Sequence, residues 1–309
     1  MAQDAARPKL IKHHAQVMFN RCVTPDQYII RLHAPAIANT SKPGHFVQVD
    51  CGPETTLPRP ISILDADAQS GTLDLFYKVV GRGTAIMAQW QPGQTVQIMG
   101  PIGKIFAAVE APRQAVLIGG GVGVAPVDFM SRCLKSKGVD CTLFLGMESP
   151  SPFELQPAIC AMPGIPEEVS LSIAHLQAMG VQSRVAALVK REGWYQGYVT
   201  DLAAAYLQTL DEATLKNITL YTCGPTPMMQ AVNTLADRFG LMGQASLEEH
   251  MACGFGGCAG CVAPIKVDSA LRWNYRRVCV DGPVFDLADV RWDLIGKTVL
   301  PEEVTACGC

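Results

Sequence analysis

Up to about residue 105 the chain alternates short apolar runs with turn residues and shows no sustained helical period. The runs at 27–32, 45–50, 72–80 and 95–99 have strand length, and Pro43-Gly44 and Pro92-Gly93 punctuate them as turns. Short strands at near-regular spacing predict a small antiparallel barrel, with one helix expected at 83–90. After residue 112 the period changes. An apolar run at 115–118, a glycine-rich turn at 119–123 and a helical pattern at 125–136 make a strand–turn–helix unit. Further strands are expected at 141–146, 168–174 and 218–223, and helices at 201–208 and 227–239. Strands alternating with helices imply a parallel sheet of βαβ units. From residue 244 glycine and cysteine dominate and apolar periodicity fades. The fold class expected is multi-domain, α/β plus all-β: an antiparallel barrel over 1–108, a parallel-sheet domain over 109–243, and a small cysteine-rich domain over 244–309.

Composition narrows the class. The 309 residues are 49% hydrophobic and 17% charged, with a net charge of −3 and no block of like charges, which argues against a nucleic-acid partner. The longest apolar stretch, 115–127, is interrupted by glycines and falls short of the ~20 residues a membrane-spanning helix needs. Residues 1–14 lack the apolar core of a secretory signal, so a cytoplasmic protein is expected, with residues 1–14 as a lead-in to the first strand. In that compartment twelve cysteines do not read as a disulfide framework. Cys22, Cys51, Cys133, Cys141, Cys160, Cys223, Cys307 and Cys309 are scattered, most of them among apolar neighbours as reduced thiols; the Cys307-Gly308-Cys309 end has no assignment. The six histidines are scattered too, and none is placed as a general base.

The other four cysteines form a pattern. Cys253-Gly254-Phe255-Gly256-Gly257-Cys258-Ala259-Gly260-Cys261 reads C-x4-C-x2-C, and Cys279 follows 18 positions later. This is the plant-type [2Fe–2S] spacing. Four thiolates must converge on a compact anionic cluster, and the glycines let the backbone turn tightly and aim N–H groups at sulfur. A structural zinc site is the alternative, but zinc favours two C-x2-C hooks and only one is present.

Two further constellations point to nucleotides. Arg59-Pro60-Ile61-Ser62 lies at the end of an expected strand, with Phe76-Tyr77-Lys78 and Gly83-Thr84 following. The Arg59 guanidinium suits a pyrophosphate, Ser62 suits a flavin near N5, and Gly83 with Thr84 at a helix start suits phosphate; together they read as an FAD site. Gly119, Gly120, Gly121 and Gly123 form a turn between strand and helix, where backbone can approach a dinucleotide. Cys223-Gly224-Pro225 closes a later strand at a position suited to face a nicotinamide, although a buried packing thiol explains Cys223 equally well. Glu148, just past the second strand of this half, can bond a ribose 2′-hydroxyl, which favours NAD(H) over its 2′-phosphorylated form. Ser62 and Cys223 are therefore the candidates for contact with the reacting rings.

Taken together, positions 59–62, 83–84, 119–126, 223–225, 248–261 and 278–285 resemble the ferredoxin–NAD(P)+ reductase superfamily with a C-terminal [2Fe–2S] module. More narrowly, they resemble the electron-transfer subunits of NAD-dependent dihydroorotate dehydrogenases. That resemblance implies FAD on the barrel, NAD(H) on the parallel sheet, and a cluster held by Cys253, Cys258, Cys261 and Cys279. It also implies a partner in a heterotetramer of pyrimidine biosynthesis: an FMN-containing catalytic subunit that oxidises dihydroorotate, leaving no such chemistry here. Small subunits of NADH-dependent ferredoxin:NADP+ oxidoreductases and of sulfide dehydrogenases share the three modules. Cys279-Val280-Asp281-Gly282-Pro283-Val284-Phe285 favours the first family. A non-catalytic zinc-binding interaction module is the reading from another class. Extra residues expected within 147–197, and Trp273, Asn274 and Tyr275, depart from the family pattern.

Overall fold

A computed structural model describes residues 9–148, 150–267 and 272–297. The unassigned Cys307-Gly308-Cys309 end lies outside the described residues. Strands β1 (Ile11–Thr24), β2 (Gln27–His33), β3 (Phe46–Val49), β4 (Arg59–Asp67), β5 (Thr72–Lys78) and β6 (Thr95–Ile102) close into a barrel in the order β1-β2-β5-β4-β3-β6. Helix α1 (Pro35–Ala38) and helix α2 (Arg82–Met87) interrupt the meander. Alternation along each strand puts Ile30, Leu32, Val47, Val49, Ile61 and Ile63 inside, all buried, and turns the residues between them outward. Residues 11–14, expected in the lead-in, already pair with β6.

The second half is a sheet ordered β12-β11-β8-β7-β13-β14-β17. Its strands are β7 (Gln114–Gly120), β8 (Cys141–Gly146), β11 (Gln182–Ala187), β12 (Tyr195–Gln196), β13 (Ile218–Cys223) and β14 (Met242–Ser246), all parallel, with β17 (Val284–Asp286) antiparallel at the edge. Helices α3 (Val124–Ser136), α5 (Val199–Leu207) and α7 (Thr226–Phe239) cover it, while α4 (Ala174–Ala178) and α6 (Glu212–Leu215) are short connectors. Helix α7 stops at Gly240, whose φ of +64° is the left-handed cap that glycine accepts at little cost.

The expected strand at 168–174 is corrected. Only β10 (Leu171–Ile173) forms there, and it pairs with β9 (Leu155–Pro157) outside the main sheet. The parallel neighbour of β8 on the side away from β7 is β11, which polar residues disguise in the sequence.

Past β14 comes a hairpin of β15 (Val262–Lys266) and β16 (Trp273–Arg277), followed by helix α8 (Val278–Asp281). Strand β14 runs across the expected boundary at 243/244, and β17 returns from the cysteine-rich segment to pair with it. One apolar core accordingly joins Phe46 and Ile102 of the barrel, Leu220 and Ala245 of the sheet, and Cys261 and Cys279.

Candidate functional site

The cysteine loop is shaped by the hairpin that follows it. Pairing of Val262 with Arg277 places Cys261 beside Val278, whose N–H donates to the Cys261 carbonyl at 2.7 Å. That register brings Cys279, 18 positions along the chain, to Cys261. Arg277 secures the other side, its Nη1 donating to the Gly256 carbonyl at 3.0 Å. Gly254 (φ +74°) and Gly256 (φ +90°) take left-handed conformations, and a side chain at Gly256 would overlap Val280.

The thiols sort into two neighbouring pairs, Cys253 with Cys258 and Cys261 with Cys279. Burial would push the Cys253 thiol up, but backbone N–H groups of Cys258, Phe255 and Gly257 outweigh it and bring it down to about 7. The Cys258 N–H donates to Cys253 Sγ at 3.4 Å. Burial, followed by the neighbouring Cys261 thiol, pushes Cys279 up to about 12. Cys253 is thus poised toward the thiolate near the surface, and the buried Cys279 must release its proton on metal binding. Among the described residues, no three metal-ligating side chains converge on a single-ion site. Two pairs of soft sulfur donors in a glycine cradle fit a two-iron cluster, in which each iron takes two thiolates.

On the barrel, Arg59-Pro60-Ile61-Ser62 opens strand β4, where the end of a strand was expected. The Arg59 guanidinium lies across Gly83: an added Cβ there would sit 2.5 Å from Nε. Arg59 Nη1 donates to the Leu57 carbonyl at 2.6 Å, which fixes the head of the side chain at a half-exposed position. A planar cation against bare backbone fits a diphosphate. Thr84 is committed elsewhere. Its hydroxyl accepts the Val80 and Gly81 N–H groups and donates to the Gly81 carbonyl, capping α2 from a buried position. Tyr77 belongs to the barrel core, its hydroxyl donating to Asn20 Oδ1 at 3.1 Å and its ring stacked on Tyr28. Phe76 packs between the barrel and the sheet domain. Of these three residues only Lys78 reaches the rim, between Asp26 at 3.3 Å and Glu148 at 3.7 Å.

At the carboxyl edge of the parallel sheet, the turns after β7 and β13 touch backbone to backbone. A Cβ on Gly123 would lie 2.5 Å from the Cys223 carbonyl carbon and oxygen, and one on Gly224 would lie 3.0 Å from Gly120 nitrogen. Gly119 lets α3 approach the strand, at 3.1 Å from its would-be Cβ to Val124 Cα. Gly120 and Pro225 are in contact across the turns, and Gly121, with φ +55°, alone faces open space. Three glycines therefore serve the packing of the two turns, and Gly121 offers bare backbone to a ligand. Glu148 stands at the same edge with its side chain 92% exposed.

Cys223 ends β13 fully buried, with Sγ 3.7 Å from Glu248 Oε1. Burial, then the Glu248 charge, raises the Cys223 thiol far above its ordinary value, and burial of the Glu248 carboxyl end raises that acid too, although the residue keeps exposed surface. This burial fits the packing reading of Cys223. Glu248 escaped the sequence reading as a site residue because its contact with Cys223 spans 25 positions. Its only sequence signal is its place at the head of the cysteine segment.

Three family models cover the chain in order: an oxidoreductase FAD-binding domain over residues 14–106, an oxidoreductase NAD-binding domain over 117–234, and the iron–sulfur cluster binding domain of dihydroorotate dehydrogenase B over 248–291. The last segment contains all four paired cysteines. Fold and site thus define a flavin- and nicotinamide-dependent iron–sulfur oxidoreductase. A protein of Desulforamulus reducens named dihydroorotate dehydrogenase B (NAD(+)), electron transfer subunit, is 32% identical over 90% of this chain and 98% of its own length. A protein of the same name from Bacillus caldolyticus is 33% identical over 89% of this chain and 96% of its own. The chain belongs to the family of dihydroorotate dehydrogenase B electron-transfer subunits. Its fold is also that of a solved NADH-dependent reduced ferredoxin–NADP oxidoreductase, with a TM-score of 0.74 at 23% identity, covering 91% of both chains.

Proposed function

We propose that this chain carries electrons between NAD(H) and a catalytic partner subunit that binds FMN and oxidises dihydroorotate, with FAD and a [2Fe–2S] cluster as its internal carriers. The observation that carries the proposal is the sorting of four thiols into two pairs on a segment whose β17 is part of the same sheet as the two glycine turns. Bound flavin supplies the exchange between two-electron and one-electron chemistry. The chain's own residues orient and shield. Arg59, braced on Leu57 and Gly83, would hold the diphosphate, and Ser62, on the outward face of β4, would meet the flavin ring. Gly121 and Glu148 would receive the nicotinamide dinucleotide. Cys223 would close its floor, and the Glu248 carboxyl beside it would hold or pass a proton.

The partner's contact is assigned to the cysteine loop, where Phe255 is 55% exposed and Cys258 is exposed. The test is an anaerobic visible spectrum before and after NADH, with iron and flavin quantified, followed by co-purification. Flavin bleaching beside iron–sulfur absorbance, about two irons per chain, and co-purification with a dihydroorotate-oxidising FMN protein are expected. A colourless zinc protein overturns the cofactor assignment, and a partner carrying [4Fe–4S] clusters overturns the assignment of the partner.

A further inference from the structure

Gln48 is an anomaly on the outer face of the barrel. It is 1% exposed, yet neither its amide nitrogen nor its amide oxygen has a hydrogen-bond partner. A buried, unpaired carboxamide is destabilising, and a Met or Leu would fill the same volume without that loss. The position of the side chain says what it waits for. Gln48 pairs across the ladder with Pro60, inside the Arg59–Ser62 constellation, and points outward from β3 between the inward-facing Val47 and Val49. From the other side the cysteine loop closes over it. The would-be Cβ of Gly254, the residue after Cys253, lies 2.6 Å from Gln48 Nε2 and from its Cγ. Glycine at 254 is thus what lets this amide reach the loop.

We infer that Gln48 is a positioning residue for the electron step between flavin and cluster, donating its side-chain N–H to a sulfur at the Cys253 end of the cluster. This rests on the cluster assignment above. The orientation follows from charge, since an anionic cluster repels the amide oxygen and attracts the N–H. The Cys258 N–H already donates to Cys253 Sγ at 3.4 Å, so this corner of the loop gathers donors on sulfur. Hydrogen bonds to sulfur stabilise the reduced, more negative cluster and raise its reduction potential.

The experiment is an EPR-monitored redox titration of the intact holoprotein and two variants, with iron and FAD quantified in each. Gln48→Met keeps the volume and deletes the donor. Gln48→Asn keeps an amide but withdraws it by one carbon, so it reports even where the Met variant fails to assemble. Both are expected to retain two irons per chain, in line with the four-thiolate site, and to shift the cluster's reduction equilibrium about tenfold toward the oxidised form, which is about 59 mV for a one-electron couple. The flavin potential stays fixed, and the Met variant is no less stable to denaturant than the parent. An unchanged cluster potential in an iron-replete variant overturns the inference while leaving the cluster assignment standing. So does a shift confined to the flavin. A parent protein without iron overturns both.

Discussion

His45, just ahead of β3, is buried with its Nδ1 accepting the Lys42 N–H at 3.1 Å. Burial, with the Lys42 charge, pushes its imidazole down from 6.5 to about 4. The unfolded chain therefore takes up this proton as pH falls through 6.5, and the folded chain resists until about 4. Stability from this group is complete above the higher value and is lost across the interval, by about 3 kcal/mol in all. Replacing it by His45→Gln should shrink the difference in unfolding free energy between pH 7 and pH 4.5 by roughly 2–3 kcal/mol, measured by urea titration. Asp128, which is held low, keeps its own acid loss in both proteins. An unaltered pH profile in the variant would mean that the imidazole takes up its proton alike in the folded and unfolded chains. Residue-scale chemistry was legible where spacing is local: C-x4-C-x2-C declared the cysteine loop unaided. Glu248 and Gln48 were not legible, because each acquires its meaning from a residue far away, Cys223 and Gly254 respectively. Cys258→Ala tests the local reading. It should lose the cluster absorbance and abolish reduction of the partner, while FAD content and NADH-driven flavin bleaching persist; normal partner reduction would place the route elsewhere.

Elements reveal why some strands could be read and others could not. β8 and β13 are uninterrupted buried runs, and their bounds match the expected ones, 141–146 and 218–223. β11 carries Gln182, Ser183 and Arg184, a polar start that looks like a loop. Its polar residues are buried all the same, because Ser183 Oγ accepts the Ile173 N–H at 2.9 Å and Arg184 Nη2 donates to the Cys160 carbonyl at 2.6 Å. Burial of polar side chains is invisible to a hydrophobic pattern until the partners are known. The glycine turns gave the opposite lesson. Their position is legible in the sequence, but the packing of Gly123 against the β13 turn is not. Gly123→Ala has an allowed backbone, with φ −64°, yet its methyl would press into the Cys223 peptide. A loss of about 1–3 kcal/mol in stability is expected, together with weaker NADH binding as the two turns part. Calorimetry and NADH titration would check this, and wild-type values in both would mean the turns have slack.

At the scale of the molecule, an ionic knot centred on the buried Asp128 joins the barrel to the parallel sheet. Arg132 on α3 donates through Nη1 to Asp65 of β4 at 2.5 Å and through Nε to Asp128 at 3.0 Å. Asp128 is 1% exposed and also meets His175 Nε2 at 2.9 Å. Burial works against the Asp128 carboxylate, but His175 and Arg132 hold it below the usual range. The two ends of the knot are not equivalent. Asp65 is about a third exposed, so water can replace its partner, and Asp65→Asn should cost about 1 kcal/mol or less. Arg132→Met strands the buried Asp128 charge with a histidine alone, and should cost about 3–5 kcal/mol. Adding Asp128→Asn removes the stranded charge, so the double variant should recover much of that loss, a coupling that a thermodynamic cycle in urea would read directly. If Arg132→Met costs less than Asp65→Asn, the two modules are held together by the shared apolar contacts of Leu64 and Phe76 with α3 and the sheet. If the order is as expected, the ion pair sets the register in which flavin on the barrel faces nicotinamide on the sheet. NADH-driven flavin reduction should then slow in Arg132→Met even at temperatures where the variant remains folded, and be restored in the double variant.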